Sequence, residues 1–189
     1  MFTFEIADFV PYRNREVLDR VRKISGKDLE RHPNPNFRIT VMSDPGSVWI
    51  ADMVARIQRS DMLNERLTMV LPNPCPTVYE AVTKTVNMLG INCRNVHVFT
   101  MDEWADQDGN IAPTDYQAGF SHSCLKYFWG GINEKLRMPL EQIHYPTTKN
   151  IKDYSAMLTE CGRGGADIVY SGPGWAGHIA FIDPLTPEF

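Results

Sequence analysis

The chain has 189 residues, of which 43% are hydrophobic, and 19 basic against 23 acidic side chains give a formal net charge of −4. This acidic balance, without a dense Lys/Arg cluster, argues against nucleic acid as a partner, and no apolar run reaches the roughly 18 residues that a membrane span needs. A chain of this length is expected to form a single domain over residues 1–189.

The N-terminus and the cysteines indicate where the protein works. The first ten residues, MFTFEIADFV, contain Glu5 and Asp8 and lack the basic region of a secretion signal. The four cysteines lie far apart and form no C-x-x-C pair. We therefore predict reduced thiols and a cytoplasmic protein.

Apolar periodicity predicts the elements in chain order. Residues 14–24 have the spacing of a helix with one apolar side, and HPNPN at 32–36 is a linker, so residues 1–36 form an N-terminal helical segment. From residue 37 onward, apolar runs alternate with helix-period segments. The predicted strands are RITVMSD (38–44), LTMVLPN (67–73), NVHVFTMDEW (95–104), QIHYP (142–146) and ADIVYSGPG (166–174).

Helices are predicted between these strands. Two of them begin at the caps Ser47 and Asn150. A third covers 77–89 and stops at Gly90, and a fourth runs from about Tyr116 to Phe128. Alternation of this kind is typical of parallel strands joined by crossover helices. We predict an α/β fold with an open, doubly wound, mostly parallel, Rossmann-like sheet, helices on both faces, and a sheet core over 37–189.

Open parallel sheets bind ligands at the carboxyl ends of their strands, where the strand order reverses. Three predicted strands run into unusual segments there: LPNPCPT, MDEW and SGPGWAGH. Their shared position predicts a single site.

The acidic pair Asp102 and Glu103 follows one of these strands. Between Met101 and Trp104, a carboxylate would be partly desolvated, which raises its pKa and suits it to remove a proton beside a carbonyl. The alternative is a solvated pair or a helix cap.

His178 follows a glycine-rich turn. Gly172, Gly174 and Gly177 let the backbone approach a ligand and present amide groups to it. Asp183, five residues later, has the chemistry to orient the imidazole. The alternative is a structural histidine in an ordinary turn.

No metal ligand and no cofactor is predicted. The candidate side chains match no helical or loop motif for a metal: His97, Asp102, Glu103, His178 and Asp183.

MDEW and GPGWAGHIAFIDP resemble the two signature segments of the glucosamine-6-phosphate deaminase/isomerase family, whose related 6-phosphogluconolactonases share the fold. The similarity runs from about residue 38 to the end. It implies that Asp102 moves protons between the first two carbons of the sugar and that His178 helps to open the ring. Asp183 stands where the family has a glutamate that acts with the histidine.

The sequence also departs from the family. Ala176 replaces an aspartate, and the phosphate loop after the second predicted strand is 72–76, Pro-Asn-Pro-Cys-Pro, in which only Asn73 and Cys75 have backbone N–H donors. Thr77 offers a hydroxyl at the start of the following helix, or simply caps that helix. Family members continue beyond the last residue here, so a C-terminally truncated chain is expected.

Three functions stay open at this point. The first is an amino-sugar-phosphate isomerase/deaminase that binds a sugar phosphate through Asn73, Thr77, Glu103 and the glycines. The second is a lactone hydrolase, and the third is a non-catalytic sugar-binding module. We expect a homo-oligomer, because the predicted last strand and loop lack covering structure.

Overall fold

A computed structural model of the chain describes residues 14–174, 178, 180 and 182. They fall into two compact units: residues 46–172, and the described residues on either side of that range, which we call the flanking unit. A single domain over residues 1–189 stays a prediction.

The flanking unit begins with helix α1 (Arg15–Val21) and one short turn of helix, α2 (Gly26–Leu29). The side chain of Asn14 caps α1, because its Oδ1 accepts the N–H of Val17 at 3.2 Å. The helix predicted over 14–24 is therefore confirmed, although α1 buries none of its residues.

The strand predicted at 38–44 is wrong. These residues have no strand structure, and all of them except Ile39 are exposed. The N–H of Val41 donates instead to the carboxylate of Glu30 at 3.3 Å. An alternating apolar pattern forms a strand only where another strand pairs with it, and no described residue pairs with this segment in a sheet.

The unit 46–172 contains a sheet of four strands: β1 (Leu67–Leu71), β2 (Val96–Thr100), β3 (Ile143–His144) and β4 (Ile168–Val169). Their order is β3-β2-β1-β4, and every neighbouring pair is parallel. The chain moves outward from β1 to β3 and then returns to the far side of β1. The doubly wound α/β prediction is confirmed, with the switch point between β1 and β4.

The helices of this unit are α3 (Pro45–Leu63), α4 (Pro76–Leu89), α5 (Phe120–Ser123) and α6 (Tyr154–Cys161). A π-helix (Cys124–Trp129) continues α5, and a 3₁₀ turn (Leu140–Gln142) precedes β3. α4 ends at Gly90, as predicted, with a left-handed φ of 66°. None of the helices described is both long and apolar enough to cross a membrane.

Two predicted helix starts are wrong. α3 begins at Pro45, two residues before Ser47, since proline with its fixed φ suits the first turn. Asn150 does not cap α6: its Oδ1 accepts the N–H of Thr147 at 2.7 Å, and the hydroxyl of Thr147 accepts the N–H of Asn150 at 3.2 Å. This closed turn delays the helix to Tyr154.

Helices cover both faces of the sheet. On one face, a single apolar core joins β1 and β2 to α3, α4 and the π-helix, with Met69, Val86 and Phe128 fully buried. On the other face, α6 packs on β2, since the ring of Tyr154 meets that of Phe99 edge-on at 5.6 Å. Burial on both faces explains why four of the five residues of β1, LTMVL, are apolar.

Side chains of α3 hold the end of β4. The hydroxyl of Tyr170 donates to the carboxylate of Asp52 at 2.6 Å, and Arg56 Nε donates to the same oxygen at 2.8 Å. Burial alone would raise the pKa of Asp52, but these hydrogen bonds outweigh it and the pKa lies below its ordinary value. Trp49 stacks on the ring of Tyr170 at 5.5 Å.

Two methionines of α3 give a matched test of this core. Met53 is 0% exposed and Met62 is 76% exposed. We expect Met53→Ala to lower the free energy of unfolding by about 2–5 kcal/mol through lost burial and a cavity, and Met62→Ala to change it by under about 0.5 kcal/mol. Urea unfolding followed by circular dichroism measures both, and equal effects would contradict the packing described.

Candidate functional site

The carboxyl ends of β1, β2 and β4 lie at one edge of the sheet. Met101, just after β2, donates its N–H to the carbonyl of Leu71 at 3.0 Å, and Tyr170, just after β4, donates to the carbonyl of Val70 at 3.0 Å. The hydroxyl of Ser171 lies 3.8 Å from the sulfur of Met101. The segments that leave these strands therefore start side by side.

Asp102 is half-buried at this edge, and its charge acts on two tyrosines. Burial is the main reason why the pKa values of Tyr79 and Tyr154 lie well above the ordinary value, and the negative charge of Asp102 adds to both shifts. Both phenols stay protonated at neutral pH. Tyr154 donates to the carbonyls of Thr100 at 2.8 Å and His144 at 3.0 Å, and Tyr79 donates to the carbonyl of Pro72.

Nothing in the sequence marks these tyrosines as groups that the carboxylate influences. Each belongs to a helix that follows a strand, and their helical spacing predicts only an inward-facing side chain. Both tyrosines are far from Asp102 in the sequence. The order of the strands in the sheet brings them within range of its charge, and the sequence alone does not show that order.

Glu103 caps a helix. Its Oε1 accepts the N–H groups of Trp104 and Phe120, each at 2.9 Å, and its Oε2 accepts that of Ser121 at 2.7 Å. The carboxylate thus satisfies free donors at the start of α5, which explains why this helix begins at Phe120 and not near Tyr116. The helix-cap alternative is confirmed for Glu103, and a substrate contact by this side chain stays a prediction.

The loop after β1 is poor in donors, as the sequence indicates. Asn73 is buried, its Nδ2 donates to the carbonyl of Leu71 at 3.4 Å, and its Oδ1 has no hydrogen-bond partner among the described residues. Cys75 occupies the cap position of α4 and Thr77, the second residue of that helix, is exposed. The alternative that Thr77 caps the helix is wrong, because the helix begins one residue earlier, at Pro76.

In the flanking unit, Gly174 and His178 contact each other. The N–H of Gly174 donates to the carbonyl of His178 at 2.8 Å. A methyl group built on Gly174 would overlap the imidazole ring, whereas one built on Gly172 would meet no atom within 4 Å. Gly174 is therefore needed to make room for the histidine.

Two predicted site residues, Gly177 and Asp183, lie outside the described residues, as does Ala176. Their roles stay predictions. Asp102, Glu103, Asn73, Thr77 and Gly172 belong to the unit 46–172, and Gly174 and His178 belong to the flanking unit.

A second group of chemically active side chains lies under α6. One ligand atom from each of His97, His144 and Cys161 lies within 4.8 Å of the other two. The imidazoles stack at 5.8 Å between ring centres. Burial lowers the pKa of His97 to about 4 and also lowers that of His144, so both rings are neutral at pH 7.

Sequence reasoning could not assemble this group. His97 was considered with the acidic residues that follow β2, but its partners come from β3 and from the end of α6. The register of the parallel strands, which places His144 beside Phe99, brings the two histidines onto one face.

No protein-family model matches the chain, and no curated protein matches its sequence. Solved structures do match. One is described as a monomeric glucosamine-6-phosphate deaminase and missing link of the NagB superfamily, with a TM-score of 0.58 and 17% identity over 72% of this chain and 56% of that one.

Two 6-phosphogluconolactonases match as well. The enzyme from Thermotoga maritima gives a TM-score of 0.52 at 17% identity, over 75% of this chain and 62% of that one. The enzyme from Plasmodium vivax gives 0.54 at 20% identity, over 74% and 47%. The chain therefore spans about half to three-fifths of these relatives. At 17–20% sequence identity, the structural similarity establishes the fold alone. This is the fold that the resemblance of the two signature segments implies.

The capping role of Glu103 predicts an effect on stability. Glu103→Ala leaves three backbone donors without their acceptor, so we expect the free energy of unfolding to fall by about 1–3 kcal/mol, and Glu103→Gln, which keeps one oxygen, to cost less. Glu141→Ala, at an exposed position, is the control. Denaturant unfolding measures all three, and a Glu103→Ala protein as stable as the control would contradict the cap.

The glycine turn predicts a displacement of His178. In Gly174→Ala the new methyl group occupies the place of the imidazole, so the side chain must rotate away while the fold persists. The imidazole resonances in a ¹H–¹³C spectrum should move for Gly174→Ala and stay in place for Gly172→Ala. Unchanged resonances in both variants would show that the turn does not constrain the histidine.

Proposed function

We propose that the chain acts on a sugar phosphate as an isomerase/deaminase, with Asp102 as the base that transfers the proton. The observation that supports this proposal is the position of Asp102: half-buried at the carboxyl edge of the sheet, where its charge acts on the buried Tyr79 and the half-buried Tyr154, both protonated. The fold shared with a glucosamine-6-phosphate deaminase supports the substrate class.

The chemistry requires an open sugar chain and a proton removed beside its carbonyl. In the proposed mechanism His178 transfers protons as the ring opens, and Asp102 then takes the proton from the second carbon and returns it to the first. Asp183 holds the imidazole in position. This proton transfer leaves an imine at the second carbon. Water adds to that carbon and ammonia leaves it, which gives the ketose phosphate.

Substrate phosphate is expected to be held without the usual loop. Three of the five residues at 72–76 are prolines, and an anion cradle needs several consecutive N–H groups. The buried, unsatisfied Oδ1 of Asn73 is an acceptor, suited to a sugar hydroxyl and unsuited to a phosphate. We therefore propose sugar contacts by Asn73 and Gly172, and weak binding of simple hexosamine 6-phosphates.

A lactone hydrolase is the second candidate, favoured by the likeness to 6-phosphogluconolactonases. Lactone hydrolysis adds water to a carbonyl, which needs His178 to activate water and needs no proton transfer between carbons. A module that binds sugar without turnover is the third candidate.

The homo-oligomer and the cytoplasmic location remain proposals as well. The exposed Val17, Val21 and Ile24 of the flanking unit favour self-association.

Replacing Asp102 tests the proposal. Asp102→Asn keeps the shape of the side chain but removes the base, so isomerase turnover should fall by about two to four orders of magnitude. Asp115→Asn, at an exposed aspartate, should keep full activity. Exchange of solvent deuterium into the second carbon of the sugar is the direct measurement, and exchange that survives in Asp102→Asn would refute the assignment.

A substrate screen separates the candidates. Amino-sugar phosphates are assayed for ammonia and ketose together, and phosphogluconolactones for ring opening. Ketose formation supports the isomerase. Lactone turnover that survives Asp102→Asn but not His178→Ala supports the hydrolase, and saturable binding without either product supports the third candidate.

A further inference from the structure

We propose that His97, His144 and Cys161 form a binding site for one Zn²⁺ ion between the sheet and α6. This site does not depend on the proposed function. Its three ligands come from three separate elements, β2, β3 and the last turn of α6. One ligand atom of each lies within 4.8 Å of the others.

The distances are close to those of a metal site. Zinc binds nitrogen at about 2.0–2.1 Å and thiolate sulfur at about 2.3 Å, which places tetrahedral ligands roughly 3.3–3.8 Å apart. The ligand atoms must each move by about 1 Å to reach these separations.

One ring nitrogen of each histidine has no hydrogen-bond partner among the described residues. His97 Nδ1 and His144 Nε2 are buried and lack hydrogen-bond partners. A buried polar nitrogen without a partner costs free energy, which a bound ion would recover. Burial also keeps both rings neutral, the form in which imidazole binds a metal.

The ligand types select the ion. Two imidazoles and one thiolate favour a borderline-soft divalent metal such as Zn²⁺ over Mg²⁺ or Ca²⁺, which take oxygen ligands. On binding, the thiol of Cys161 loses its proton to solvent and its sulfur bonds to zinc, and water fills the fourth position. No oxidation or reduction takes place.

Because a positive charge lies near the site, we expect Cys161 to contribute more to zinc affinity than either histidine. Arg66 donates from its guanidinium to the carbonyl of Cys161 at 2.9 Å and places a positive charge near the imidazole of His97. This charge opposes a cation, so the negative sulfur must compensate for it. Loss of the thiolate should weaken zinc binding more than loss of either imidazole.

The site lies away from Asp102. His97 lies three residues before the carboxyl end of β2, roughly 10 Å along the strand. Asp102 lies beyond that end. A metal here joins α6 to β2 and β3 and serves to stabilise the fold. It does not reach the carbons that Asp102 is proposed to serve.

Metal titration of the whole chain, stripped with a chelator, tests the proposal. We expect one Zn²⁺ per chain, a rise in melting temperature, and, with Co²⁺ as the probe, visible bands of tetrahedral cobalt and a thiolate-to-cobalt charge-transfer band. Cys161→Ser should remove the charge-transfer band and weaken zinc binding at least about 100-fold. His97→Gln and His144→Gln should weaken it at least about tenfold.

Two variants serve as controls. Cys75→Ser changes another half-buried thiol, and His32→Gln changes an exposed histidine. Both should bind zinc as the parent does, and circular dichroism confirms that each variant is folded. Absence of stoichiometric zinc binding by the folded parent overturns the site, and so does binding that survives Cys161→Ser unchanged. The melting temperature and the cobalt spectra do not depend on enzymatic activity.

Discussion

The pairing of β1 on both sides holds the unit 46–172 together. Residues 67–71 match Val96–Thr100 one by one, and Met69 and Val70 also pair with Ile168 and Val169. Every residue of β1 is buried. β1 has strands on two sides and helices on two faces, so its apolar side chains have no solvent-facing alternative. Where β4 does not yet pair with it, the N–H of Thr68 donates to the carboxylate of Asp167 at 2.8 Å, so this backbone group is satisfied by a side chain.

The sheet separates two kinds of polar chemistry. At its carboxyl edge, acidic and phenolic groups collect near Asp102, where burial and negative charge keep Tyr79 and Tyr154 protonated. On the face under α6, two imidazoles and a thiol meet near the amino ends of β1 and β2. The hydroxyl of Thr68 lies 4.0 Å from the sulfur of Cys161, which places the thiol over β1. One strand order thus produces two separate polar regions in a small unit.

The sequence predicted the parts of the fold that depend on local pattern. Apolar runs identify β1 and β2, and Gly90 marks the end of α4, because strand burial and helix termination leave direct compositional signals. Errors arose where a tertiary partner decides the outcome. The segment 38–44 has the composition of a strand but no described strand beside it, and the start of α5 is set by Glu103, a residue 17 positions earlier. The proximity of Asp102 to two tyrosines, and of His97 to Cys161, likewise depends on contacts between distant elements, which no spacing in a single sequence encodes.

The burial of two of the four cysteines determines how the molecule can be labelled. Burial raises the pKa values of Cys93 and Cys124 to about 12 each, so at neutral pH roughly one molecule in 10⁵ carries either thiolate. Cys75 and Cys161 are only half-buried. A maleimide dye added to the folded, zinc-free protein therefore reacts at these two positions before the buried pair, although burial also raises the pKa of the Cys75 thiol. The native chain thus carries two preferred attachment points, one in the loop after β1 and one at the end of α6.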